Sequence, residues 1–236
     1  EDLSVVGSLL HICNVTRSDC MFAVGFLARH GSRPSLHHYE AAKNVVAFLY
    51  NTRHRCIQYV REASMAHGRV PYASQDLANR LRMFVDADFA GTVASARSTS
   101  GRVTFMNQGV VSAKSQLQKL VALSTSEAET IALCEQIKDA LSLKLLCEEL
   151  RLRPESELVP IHEDNASCRE MAMSDKAYGK ARHFRTRVAF NQHHCRGEDK
   201  TIDLLQTPTD LMVADGYTKA LEGQSFMKFM EWVTSA

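Results

Sequence analysis

LRMFVDADFAG, residues 81–91, is the stretch on which the fold turns. Leu81 to Val85 is the apolar run of a central strand, and Asp86 continues it although strands are poor in Asp. Asp88 lies two residues on and shares the sheet face of Asp86, so alternation alone does not choose between them. A solvated strand end is the plain alternative for either acid.

Two further strands follow, Gly101 to Met106 and Val110 to Ala113, with Asn107-Gln108-Gly109 as the turn between them. This predicts an antiparallel meander. A long helical run, Ser124 to Leu150, comes next, then a break at Arg153-Pro154, a strand at Leu158 to His162 and a helix opened by Asp164-Asn165. A basic helix at about 182–195, a strand at Thr201 to Leu205 and a helix beginning around Thr209 complete the pattern. Strands, helix, strand, helices, strand, helix is an α/β order.

Upstream the grammar is helical. Met21, Val24, Leu27 and Ala28 recur at helical spacing within 18–30, and Ala41, Ala42, Val45, Val46 and Leu49 do so within 35–50, the two runs parted by Gly31-Ser32-Arg33-Pro34. Residues 55–60 suit a short strand. Residues 62–79 lose periodicity and gather Gly, Pro, Ser and Gln, which marks a linker.

The chain of 236 residues is 45% hydrophobic, enough for a real core, and its formal charge of +1 excludes polyanion binding by net charge alone. Seven scattered cysteines, never spaced C-x-x-C, fit buried thiols in a reducing, intracellular compartment better than disulfides or zinc. No run approaches the ~18 apolar residues of a membrane span, and no signal-peptide pattern is present, so a soluble protein with no membrane partner is expected.

Four acids suit metal-assisted phosphodiester hydrolysis, which needs clustered carboxylates to hold two Mg²⁺ roughly 3.5–4 Å apart. Asp86 is one. On the long helix, Ser124-Thr125-Ser126-Glu127 reads as a capping box in which Glu127 folds back on the Ser124 N–H, leaving Glu129 beside Ala132, Leu133, Ala140 and Leu143 on the packed side. Asp164 follows Leu158-Val159-Pro160-Ile161 at the strand's carboxyl end, where ligands gather, although Asp is also a good helix N-cap. Asp215 stands before Gly216, whose poor helix propensity predicts a bend or an end near the acid. Each position, taken singly, also reads as an ordinary solvated or capping acid.

Words around these acids carry a resemblance. Val85 to Gly91, Arg97-Ser98-Thr99-Ser100-Gly101, Val121 to Leu133, Glu163-Asp164-Asn165-Ala166-Ser167 and Ala214-Asp215-Gly216-Tyr217-Thr218-Lys219 resemble, in order, the ribonuclease H domain of copia-type LTR retrotransposons. Val6 to Leu10, Thr16 to Asp19, Ala23-Val24 and His38 to Lys43 resemble the carboxyl-terminal end of the reverse transcriptase that precedes it. The polymerase's own paired-aspartate motif is absent, so polymerisation is not expected.

The resemblance implies a ribonuclease H-like mixed five-stranded sheet flanked by helices and preceded by a small helical segment. It implies residues 1–61 as a helical reverse transcriptase remnant, 62–79 as linker, 80–222 as the ribonuclease H-like domain and 223–236 as a C-terminal helix or tail. Asp86, Glu129, Asp164 and Asp215 become the metal ligands and catalytic acids, with Asp86 bridging two Mg²⁺ and Mn²⁺ as a substitute. The substrate is the RNA strand of an RNA/DNA hybrid, met by Ser100, Asn165, Lys180, Arg182 and His183, and the partner is the upstream polymerase. The location would be the cytoplasm or a virus-like particle. Starting on Glu1 rather than Met, the chain reads as a processed product, an engineered fragment or a piece of a longer polypeptide.

His162 and Glu163 depart from the family pattern, and Glu163 adds charge beside the metal site. Gln206-Thr207-Pro208-Thr209 offers no general-acid His. Lys176, Lys180, Arg182, Arg185, Arg187 and Arg196, with His183, His193 and His194, form a phosphate-pairing patch or a solvated helix face. Zinc at His193-His194-Cys195 lacks a second ligand pair. Competing functions are a decayed or reused module that binds nucleic acid or a polymerase, and an integrase core, which places its glutamate last rather than second.

Overall fold

The computed structural model describes residues 2–60, 70–72, 79–92, 96–152, 157–176 and 182–235. Strands β1 (Leu81–Thr92), β2 (Arg97–Met106), β3 (Gly109–Leu117), β4 (Val159–Glu163) and β5 (Ile202–Gln206) form one sheet in the order β3-β2-β1-β4-β5. β1, β2 and β3 are antiparallel neighbours, and β4 runs parallel to both β1 and β5. This is the expected mixed five-stranded sheet, with β1, β2 and β3 longer than the apolar runs alone suggest. Asn107 and Gln108, with φ of 51° and 65°, make the two-residue turn between β2 and β3, whose positive φ values match the twist of a hairpin.

The two sheet faces have separate covers. Met83, Val85, Ile161 and Ile202 pack under helix α4 (Thr125–Glu149), with Leu133 and Ile137 as its buried contacts, and under α5 (Ala166–Met173) and α6 (Arg182–Cys195). Phe84, Val103 and Phe105 point the other way. They pack against α1 (Asp2–Val15), α2 (Met21–Arg29), the end helix α7 (Gly223–Val233) and a 3₁₀ turn at Val213–Tyr217. α3 (Leu36–Asn51) lies outside α1 and α2 and opens with Ser35 accepting the His38 N–H. α1 is an element the periodicity of the sequence does not announce.

Ser18 Oγ and Tyr217 OH hydrogen-bond at 3.0 Å, tying the amino-terminal helices to the turn that carries Asp215. The buried pair Arg17–Asp19, at 2.8 Å, sends a further guanidinium N–H to the Thr52 carbonyl at 3.1 Å and so fastens the end of α3.

Two expectations need correction. The helix expected from Thr209 is instead two 3₁₀ turns, Thr209–Leu211 and Val213–Tyr217, because the chain there lies flat between sheet and α7: a Cβ on Gly216 would collide with the Phe229 ring. Residues 55–60 are not a strand; their pairing is an isolated bridge, Cys56 with Ser235, and the Val60 N–H donates to the Asn107 carbonyl. Of the expected linker 62–79, only 70–72 and 79 lie among the described residues. Six of the seven cysteines are buried. Among the described residues no helix is long and apolar enough to cross a membrane.

Candidate active site

Asp86 faces Gly101 across the β1–β2 ladder and is 6% exposed. That register explains the glycine. A Cβ at position 101 would stand 2.5 Å from the Ala214 carbonyl and 2.6 Å from the Thr218 methyl, so only glycine lets the Val213–Tyr217 turn settle onto the sheet beside Asp86.

Glu129 reaches the same place from α4. Ser124 caps the helix by accepting the Glu127 N–H at 3.2 Å. Glu127 itself folds back one residue further than expected, taking the Leu123 N–H at 2.9 Å rather than that of Ser124. With Glu127 held at the helix start, Glu129 turns toward the sheet, 3% exposed, and accepts the Ala87 N–H. At the end of β4, Asn165 is the N-cap of α5 and takes the Cys168 N–H at 2.9 Å, which releases Asp164 from capping. Asp164 Oδ2 accepts instead from Thr209 Oγ1 at 2.8 Å.

Carboxylate oxygens of Asp86, Glu129 and Asp164 all lie within 4.8 Å of one another. Asp215 stands next to Asp86. Its carboxyl is pushed up to about 7 by burial first and by the charge of Asp86 second, while Lys219, 2.9 Å from Oδ2, draws it down. Burial also raises Glu129 well above the carboxylate range, with Glu163, Asp86 and Asp164 adding to it. Asp164 and Asp88 are raised by burial and by Asp86, and both are eased by Lys219.

These shifts share one cause: several carboxylates crowd a desolvated place with too little positive charge. A hard divalent cation cures that condition, and the donor set is all oxygen, which suits Mg²⁺ or Mn²⁺. Glu129 Oε2 and Asp215 Oδ1 are buried without a hydrogen-bond partner, as metal-facing oxygens would be.

The proposed substrate residues are placed unequally. Ser100 is buried, its Oγ accepting from Gln118 Nε2 at 2.9 Å, and it lines a cavity of about 240 Å³ with Gln116, Lys119 and Arg187. Asn165 is engaged as a cap, and Arg182 is exposed on α6. Lys180 and the side chain of His183 lie outside the described residues.

Three polar residues escaped sequence reasoning as parts of the site: Thr218, whose Oγ1 donates to Asp86 Oδ2 at 2.5 Å, Thr209 and Lys219. The spacing of Asp215 and Lys219, four apart, was the available signal. Glu163 is fully buried behind the cluster, with its Oε1 accepting the Asn165 N–H at 3.0 Å.

No family model matches the chain. The Retrovirus-related Pol polyprotein from transposon TNT 1-94 of Nicotiana tabacum is 30% identical over 223 residues, 94% of this chain and 15% of its own length. The Retrovirus-related Pol polyprotein from transposon RE1 of Arabidopsis thaliana is 25% identical over 97% of this chain and 14% of its own length. Secreted RxLR effector protein 161 of Plasmopara viticola is 36% identical over 141 residues, 60% of this chain and 89% of that protein. Among solved structures, LC11-RNase H1, isolated from compost by a metagenomic approach, is 15% identical with a TM-score of 0.44, covering 59% of this chain and 93% of that one. The chain thus spans well under a fifth of the polyproteins, 15% and 14%, while they match nearly all of it. Nearly its whole length is similar to retrovirus-related Pol polyproteins of copia-type transposons.

Proposed function

We propose that residues 80–222 are a ribonuclease H that hydrolyses the RNA strand of RNA/DNA hybrids during reverse transcription of a retrotransposon. The observation that carries the reading is the convergence of Asp86, Glu129 and Asp164 within 4.8 Å, with Asp215 beside them. These four would hold two Mg²⁺, replaceable by Mn²⁺, with Asp86 shared between them. When bound, such ions supply an activated water and stabilise the leaving oxygen.

The chain's own groups hold that set in place. Thr218 fixes Asp86, Thr209 fixes Asp164, and the Ala87 N–H fixes Glu129. Ser100, Asn165, Lys180, Arg182 and His183 would meet the hybrid, where 2′-OH contacts in the wide minor groove distinguish RNA from DNA. Residues 1–61 would be the end of the preceding polymerase, 62–79 a linker and 223–236 a closing helix or tail. The partners are then the hybrid and that polymerase, with no membrane, in the cytoplasm or a virus-like particle.

A second reading, a reused module that binds nucleic acid or a polymerase partner without cutting, draws on the Plasmopara relative, which carries the name of a secreted effector. Incubating the purified chain with a labelled RNA/DNA hybrid, with and without Mg²⁺, separates the two. Metal-dependent cleavage of the RNA strand that Asp86→Asn abolishes is the expected result; a folded wild-type chain that never cuts would overturn it and favour the second reading.

A further inference from the structure

We propose that Lys219 is a built-in counter-cation of the carboxylate centre, whose charge beside Asp215 opposes the binding of a divalent ion. The inference rests on the metal-centre reading above and assigns one more positioning residue to it.

Its placement is specific. The Asp215 carbonyl accepts the N–H groups of both Thr218 and Lys219, at 3.1 and 3.2 Å, so the chain doubles back just past the Val213–Tyr217 turn. This folds the Lys219 stem along Asp215 and sets Nζ 2.9 Å from Oδ2. Asp215 Oδ1 is left buried with no hydrogen-bond partner. The charge of Lys219 acts on Asp88, Asp164 and Asp215, and those of Asp86 and Asp164 act back on it.

The pair is asymmetric. The Asp215 side chain is 15% exposed and the Lys219 side chain 44%. The acid is therefore fixed while the ammonium keeps an open route to water, and it can leave without disturbing the fold. A wholly exposed pair would mean little. Here one partner is buried among other carboxylates, in surroundings where charges act over short distances with less screening.

A divalent ion at the open Oδ1 and an ammonium 2.9 Å from Oδ2 of the same carboxylate would repel one another strongly. Metal binding is then an exchange: the ion enters and the ammonium swings outward. Lysine suits this better than arginine, since it offers a compact charge on a flexible stem rather than a planar fork. The built-in cation offsets repulsion within the metal-free cluster and, for the same reason, weakens its affinity for metal.

The test is a titration of the nucleic-acid-free chain with Mn²⁺, reading free ion by its EPR signal, on wild type, Lys219→Met and Lys219→Arg. Circular dichroism confirms folding, and Lys219→Gln stands in if the Met variant does not fold. Lys219→Met is expected to bind Mn²⁺ at least about fivefold more tightly, with Lys219→Arg within about twofold of wild type. A merely structural lysine gives the opposite sign, since its loss would loosen the site. Affinity in Lys219→Met that is unchanged or weaker overturns the inference and leaves the metal centre standing. Absence of Mn²⁺ binding in wild type and every variant overturns both.

Discussion

Thr218 Oγ1 donates to Asp86 Oδ2 across 2.5 Å, joining residues 132 positions apart and locking the turn that bears Asp215 onto β1. The Thr218 backbone N–H donates to the Asp215 carbonyl at 3.1 Å, so one residue sets the spacing of two of the four acids. Thr218→Val keeps the shape and removes the donor. A buried carboxylate left without its hydrogen bond costs about 1–3 kcal/mol. Cleavage of the hybrid should fall roughly tenfold or more while the melting temperature drops by only a few degrees. Steady-state kinetics beside a thermal melt would check it, and unchanged kinetics would remove Thr218 from the site.

Gly101→Ala should damage the centre without touching any acid. The added Cβ meets the backbone oxygen of Ala214 at 2.5 Å, and backbone cannot rotate away as a side-chain tip can. The Val213–Tyr217 turn must lift, at an overpacking cost of about 1–3 kcal/mol. Loss of cleavage together with a lower melting temperature is expected. Full activity in this variant would show that the turn can move without cost to the centre.

What the sequence tells about this site divides by range. The acids were legible only as a set: each alone also reads as a solvated or capping acid, and their order and the words around them grouped Asp86, Glu129, Asp164 and Asp215. Their holders were not. Thr209, Thr218 and Lys219 are ordinary turn residues until the sheet register brings Gly101 opposite Asp86 and the turn down upon it. The turn itself was misread as a helix because the contact that flattens it, Gly216 on Phe229, joins two segments whose meeting no periodicity encodes. The same blindness hid the second cover of the sheet, where α1 and α2 bury Val24 and Leu9 against Phe84 and Phe105.

That cover yields a prediction of its own. A chain begun at residue 80 would expose Val103, Phe105 and Tyr217, now packed beneath α1 and α2, and would lose the Ser18 hydroxyl that bonds Tyr217 OH at 3.0 Å. Contiguous exposed apolar surface of this kind promotes association. The truncated chain should aggregate at concentrations where the full chain does not and should lose most of its cleavage, since the Asp215 turn rests on Tyr217. Light scattering and a cleavage assay on both chains decide it; a monodisperse, fully active truncation would show that residues 1–79 are dispensable.

The metal-free protein should be less stable at high pH than at low pH across the neutral range. Asp215 is raised from 3.8 to about 7, so between those values the native state keeps a proton that the unfolded chain has already lost. The native state then binds more protons than the unfolded one, and stability declines as pH climbs through that window. Melting curves in EDTA from pH 5 to pH 8 should show a falling midpoint. Saturating Mg²⁺ should raise the midpoint most at pH 8, because the ion binds the ionised carboxylates of the folded state alone. A metal-free midpoint that rises across this range would contradict the crowding of charge described here.

Glu163→Gln tests the same crowding from the buried side. Glu163 is fully buried, its carboxyl driven up by burial and by Asp164 and Asp86, and its Oε2 has no hydrogen-bond partner. Glutamine retains the Oε1 acceptor that takes the Asn165 N–H at 3.0 Å and removes the group that burial penalises when charged. The metal-free midpoint at pH 8 should therefore hold or rise. Glu163 is also the leading charge that raises Glu129, so its removal lets Glu129 ionise more readily. If ionised Glu129 is required for cleavage, the acid limb of the pH–rate profile should move to lower pH in the variant. An acid limb that stays in place, in a folded and active variant, would show that Glu163 does not govern the charge state of Glu129.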